Sequence, residues 1–198
     1  MVSLETPKRI SILDAVNIML ANIGEEAVSS YGPGSKNTAQ RAASRLAEIS
    51  IQVQSEGHNF ATAWELTLSR DPTTGHIALP DNILSWHPVS TSANLKLTED
   101  GGKLYNAATN TFVFEEDVIV EAVLARPFES LAQPVRWHIT MQAALAFANS
   151  ENPGGPYLRV TGQMVQDAAR LFKVYDARLR KGGLRAHNPH FQRIRGNR

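Results

Sequence analysis

The sequence predicts an α+β fold: a four-helix arrangement with an antiparallel β-domain inserted between helix 2 and helix 3, followed by an extended C-terminal tail. Three observations point there. Apolar residues recur at spacings of three and four in residues 11–58, the period drops to two within 59–126, and helical spacing returns over 127–183. The outer segments must pair across the insertion. Residues 1–58 and 127–183 are then the two halves of a helical domain, 59–126 the β-domain and 184–198 a basic tail.

Helix 1 begins at Ser11-Ile-Leu-Asp14, a capping-box variant in which serine oxygen and aspartate carboxylate satisfy each other's backbone amides. Leu13, Val16, Leu20 and Ile23 form one apolar stripe, Ile12, Ala15 and Met19 a second beside it, and Gly24 offers the left-handed residue that ends the helix. So wide an apolar face needs cover from more than one side. Helix 2 follows the loop "SSYGPGSK": Asn37 and Gln40 repeat the capping logic, Ala39, Ala42, Ala43, Leu46, Ile49 and Val53 face inward, and Gly57 ends it.

In the insertion Trp64, Leu66 and Leu68 alternate with polar residues, and "RDPTTG" is expected to turn that strand into a hairpin with "HIALP". Short strands at "NLKL", "KLYN" and "TFVF" are separated by the turns "TEDGG" and "AATN", and Val118, Val120, Ala122 and Leu124 share one face of a longer strand. Helix 3 starts at Pro134 in the first turn, with Val135, Ile139, Ala143, Leu145, Ala146 and Phe147 apolar. After "SENPGGPY", helix 4 is expected from Leu158 to Lys181, turning Val165, Ala168, Ala169, Phe172, Tyr175 and Leu179 inward and stopping at Gly182-Gly183.

Composition narrows the chemistry. The 198 residues are 42% hydrophobic and contain no cysteine, so stability comes from packing, and disulfides, thiolate nucleophiles and iron–sulfur clusters are excluded. The N-terminal residues lack a secretory pattern and no apolar run reaches the roughly 18 residues of a membrane span, so synthesis in cytoplasm without a membrane partner is expected. Net charge is +1, yet Arg185, Arg193, Arg195 and Arg198 lie in a terminal stretch free of acids. Basicity therefore belongs to the tail.

No motif for catalysis stands out. Glu115 and Asp117 would share a face if they lay on a strand, the paired-carboxylate arrangement of a glycan hydrolase, though three adjacent acids also suit a solvated strand entrance. "GPGSKN" misses the phosphate-loop spacing and no G-x-S-x-G elbow occurs. His187 and His190 flank a proline without further ligands, and Trp64, Trp86 and Trp137 read as packing anchors. The tail can be a nucleic-acid arm or a peptide that orders on a protein partner; Phe191 and Ile194 favour the protein, because phosphate binding gains little from apolar anchors.

"LDAVNIMLANIGEEAVSS", "NTAQRAASRLAEISIQVQSEGHNF" and "IALPDNILSW", in that order over residues 11–90, resemble the tail tubular protein A family, the adaptor or gatekeeper proteins of short-tailed bacteriophages. Where such proteins often carry tryptophan, this chain has His58. The resemblance implies a virion protein at the portal vertex, without cofactor or turnover. It implies a homo-oligomeric ring of twelve between the portal protein and the nozzle, tail tubular protein B, with DNA passing through the channel and tail fibres attached nearby.

A closed ring needs two different complementary patches on each subunit. From the second stripe of helix 1, Ile12, Ala15 and Met19 are expected at the subunit interface. From the tail, Arg185, Phe191, Arg193 and Arg195 are expected to contact portal.

Overall fold

The computed structural model describes residues 8–89, 95–153, 155 and 159–187. Its elements run α1 (Ile12–Asn22), α2 (Asn37–Ser55), β1 (Thr62–Leu68), β2 (Ile83–Pro88), β3 (Leu97–Asp100), β4 (Lys103–Asn106), β5 (Val118–Leu124), a short 3-10 turn at Phe128–Ser130, α3 (Gln133–Glu151) and α4 (Gly162–His187). The chain is α+β, with every strand between α2 and α3. It divides into a helical unit, made from the described residues up to Val53 and from Pro127 onward, and a β unit, Gln54–Arg126.

In the helical unit the capping box at Ser11 forms in full: Ser11 Oγ accepts from the Asp14 amide at 3.1 Å, and Ser11 N–H donates to Asp14 Oδ2 at 2.9 Å. That carboxyl is held below its ordinary pKa, first by the Ser11 hydroxyl and then by the Ser11 amide. Gly24, at φ +84°, follows the helix in the left-handed region. α2 starts at its expected cap and not after it, since Asn37 is already helical and Gln40 instead donates its side-chain amide to Ser35 O at 2.9 Å.

α3 packs against both α1 and α4 and is the centre of this unit. It buries Val135, Ile139, Met141, Ala143, Ala144, Phe147 and Ala148, whereas Leu145 and Ala146 are half-buried. Each buried leucine-sized side chain is worth about 1.5–3 kcal/mol, so two sequence-distant segments are joined by burial along one helix. α4 runs past Gly182-Gly183 to His187, so the expected stop is not where the helix ends. Two glycines cost about 2 kcal/mol of helix propensity but do not force a break.

The β unit holds a three-stranded antiparallel sheet in the order β1-β5-β2 and a separate antiparallel pair, β3-β4. The expected hairpin between β1 and "HIALP" does not form. β1 pairs with β5 instead, and the "HIALP" segment runs beside β4, with Ile77 O accepting from Leu104 N at 2.9 Å and Ala78 bridging Lys103. The turn itself is real: Asp71 Oδ1 accepts from the Thr73 and Thr74 amides at 2.8 Å, and Asp71 O accepts from Gly75 N.

Gly75 is required there. It sits at φ +71°, and a Cβ would come within 2.8 Å of Val113 Cγ1.

Leu68, Ile77, Leu104, Phe114, Val118, Val120 and Ala122 form the core of the unit, with Leu66 and Trp86 packed on it. Entry and exit of the insertion are fastened by one carboxamide. Gln54, fully buried, donates to Arg126 O at 3.1 Å and accepts from Arg126 N at 2.7 Å.

Candidate functional site

Among the described residues one buried guanidinium gathers several hydrogen bonds, and its geometry is structural. Arg136 on α3 is 4% exposed, and its guanidinium donates to Leu131 O at 2.8 Å, Ile10 O at 2.7 Å, Glu129 Oε2 at 3.0 Å and the Glu129 carbonyl. Its carbon lies 5.8 Å from the centre of the Phe128 ring. Glu129 Oε1 accepts from Ile12 N at 2.9 Å, so the same pair grips the first turn of α1. Four of its five N–H donors are taken up by backbone and by Glu129, so this buried cation is committed to holding the fold.

Two asparagines of α1 complete the frame. Asn22, 1% exposed, donates to Ala144 O on α3 at 3.0 Å and accepts from the Arg159 and Val160 amides at 2.8 and 2.7 Å, joining three segments through one side chain. Asn17 makes a two-bond pair with the Val28 backbone at 3.1 and 2.8 Å. Through that pairing the loop "IGEEAV" folds back along the helix that precedes it.

The candidate carboxylates do not lie on a strand. Residues 115–117 lie in the loop before β5, all exposed, and the Asp117 carboxylate accepts from Arg70 N at 3.0 Å and Ser69 Oγ at 3.2 Å. The acid that would have to share a cleft is occupied in closing a loop onto β1.

"GPGSKN" is likewise a closed turn, with Ser35 Oγ donating to Gly32 O at 2.7 Å. A shallow groove between α2 and α3 is lined by Asn37, Gln40, Arg41, Arg45, Glu48 and Glu151, and its cations are paired, Arg41 with Glu151 at 2.6 Å and Arg45 with Glu48 at 2.9 Å. Among the described residues no cluster of three histidine or acidic side chains is placed to hold a metal ion. Nor is any described helix long and apolar enough to cross a membrane.

The expected subunit-interface residues are placed differently from the expectation. Ala15 and Met19 are fully buried in their own chain and only Ile12 keeps partial exposure. α1 packs against α3, and residues of both its stripes, Val16 and Leu20 of one and Ala15 and Met19 of the other, are buried in the chain's own core. A charge at Met19 would strike the fold before it reached a neighbour.

Of the portal-contact residues, Arg185 lies in the last turns of α4, while Phe191, Arg193 and Arg195 lie outside the described residues.

Exposed apolar surface appears elsewhere. On α4, Met164 is 40% exposed, Leu171 59% and Val174 48%, and these positions with Arg178 fall on one side of the helix. Leu179, expected inward, is 41% exposed.

In the β unit Trp64 is 54% exposed rather than a packing anchor. A bulge causes this: between Ala63 and Leu66 the register of β1 on β5 gains one residue, so Trp64 and Glu65 together stand opposite Glu121 and both are exposed.

Charge is divided between the units as well. Residues 54–126 carry ten of the 19 acidic side chains but only four of the 20 basic ones. Periodicity could not find the bulge, but this charge division was readable.

No curated protein matches the chain. The sequence model of the family described as "Tail tubular protein" matches residues 13–181, from α1 through the insertion to the basic end of α4. With that match spanning both units, the chain belongs to the tail tubular protein family and is a structural protein of a bacteriophage tail.

Proposed function

We propose that the chain is the head-to-tail adaptor of a short-tailed phage, tail tubular protein A, assembling as a ring of twelve between portal and the nozzle, tail tubular protein B. DNA leaves through the centre of the ring without specific binding, and tail fibres attach near the junction with the nozzle. The observation that carries this reading is the family match over residues 13–181, on a chain whose sequence opens with the adaptor-like "LDAVNIMLANIGEE" stretch. Placement of the polar groups agrees with it: Arg136, Asn22, Asn17 and Asp117 are engaged in holding backbone, as suits a rigid assembly part.

Portal is engaged by the end of α4 and the residues after it, through Arg185, Arg193 and Arg195 with Phe191 as the apolar anchor. Arginines with an aromatic among them suit a protein groove with acidic edges. Sedimentation of the full chain with purified portal tests the reading. A stoichiometric complex is expected, and a chain ending at residue 187 should lose it. Equal binding by the shortened chain overturns the tail contact, and no complex with the full chain overturns the adaptor assignment.

A further inference from the structure

We propose that the exposed stripe of α4, Met164, Leu171 and Val174 with Arg178, docks on the outer face of the β1-β5-β2 sheet of a second copy of this chain, where Trp64 stands beside Glu65 and Glu121. This rests on the adaptor reading and names the surfaces by which its subunits would meet.

Met164, Leu171 and Arg178 recur every seven residues with Val174 between them, the spacing of a helix seam that faces another body. Yet Leu171 and Val174 are about half exposed in the isolated chain. The core side of the same helix is already filled by Ala168, Phe172 and Asp176.

On the sheet, Glu121 lies between the Trp64–Glu65 bulge on β1 and His87 on β2. Its neighbours on that face of β5, Ile119 and Val123, are half-buried. An indole raised on a bulge and bordered by acids complements in sign an aliphatic stripe bordered by Arg178 and by Arg170, which also pairs with Asp167 on its own helix.

Charge complementarity extends beyond the contact, since the acidic excess lies in residues 54–126 and α4 carries exposed Arg170, Lys173, Arg178 and Arg180. Because the two patches are different surfaces, pairing is head-to-tail. Each added copy presents a fresh patch until the rotation closes.

The absence of native cysteine makes the test clean. Full-length Trp64→Cys and Leu171→Cys are prepared separately, mixed with a short bis-maleimide, and incubated free and with purified portal; each single variant alone is the control. The expected result is a cross-linked dimer of unlike variants, several-fold above either control, and a ladder of multimers from a chain carrying both changes. A complementary pair, Arg178→Glu with Glu65→Arg, should lose assembly singly and recover it when both changes are in one chain.

Rings that sediment with portal but give no cross-link between unlike variants overturn this contact and leave the adaptor reading standing. A cross-link confined within single chains also overturns it. Absence of any self-association, free or on portal, overturns both.

Discussion

In the helical unit, buried polar side chains do the joining: Arg136, Asn22 and Thr140 lie among the core residues and bond to backbone across or along helices. In the β unit the cluster around Leu104 and Val120 is apolar throughout, and the buried polar side chains bond to nearby or terminal backbone, Asn106 to Ala108 N and Gln54 to Arg126, which ties the two ends of the insertion. The difference follows from chain connectivity. Residues 8–53 and 127–187 come together only after the insertion is bridged, and apolar contacts alone leave their relative register loosely specified. Directional hydrogen bonds to single carbonyls fix it. The β unit is continuous in sequence, and antiparallel ladders already set its register.

Breaking the helical unit's fasteners should therefore unfold that unit selectively. The largest effect is expected for Arg136→Ala, which leaves the carbonyls of Ile10, Glu129 and Leu131 without their donor, at a cost of about 3–5 kcal/mol in all. Urea unfolding followed by circular dichroism at 222 nm, a wavelength dominated by helix, checks it. Asn22→Ala should cost about 2–3 kcal/mol, since the Arg159 and Val160 amides lose their acceptor in a buried site. Hydrogen exchange should show the N-terminal residues of α4 and the end of α1 opening together, with β5 unchanged.

Gln54→Ala sharpens the comparison from the other side. It removes both bonds to Arg126 and should cost about 1–2 kcal/mol, with exchange rising at Arg126 and in β5 while α3 keeps its protection.

The smallest effect is at the helix cap. Asp14 has a depressed pKa, so its contribution is present above the ordinary aspartate value and is lost as pH falls through the lower folded value. Ser11→Ala should remove about 1 kcal/mol or less at neutral pH, and the difference between the variant and the parent chain should shrink in acid to what the Ser11 Oγ bond to the Asp14 amide contributes.

The four helices, the place of the strands between α2 and α3 and the cap of α1 were legible because they are local, whereas β2 was not expected and "TFVF" forms no strand. The capping box at Ser11, the left-handed Gly24 and the buried alternation Val118, Val120, Ala122 each depend on a few neighbouring residues. What was not legible is nonlocal. Nothing between Leu68 and Ile77 says that their strands choose β5 and β4 in place of each other, and one inserted residue at Trp64 turned an expected packing anchor outward.

The second stripe of α1 was visible, but whether α3 or another subunit would cover it was not, since apolar spacing measures what must be buried and not by whom. Arg136 and Asn22 escaped notice because a search for apolar periodicity passes over polar residues on inward faces. Fasteners of this kind leave a sequence signal only where a polar residue interrupts a buried stripe.

Electron microscopy of the full chain bound to purified portal, with the copies around the symmetry axis counted directly, is the most direct test of the account. It predicts a closed ring of twelve coaxial with the portal and an open central channel. Monomers scattered on the portal surface, or no density added to it, would contradict the adaptor assignment.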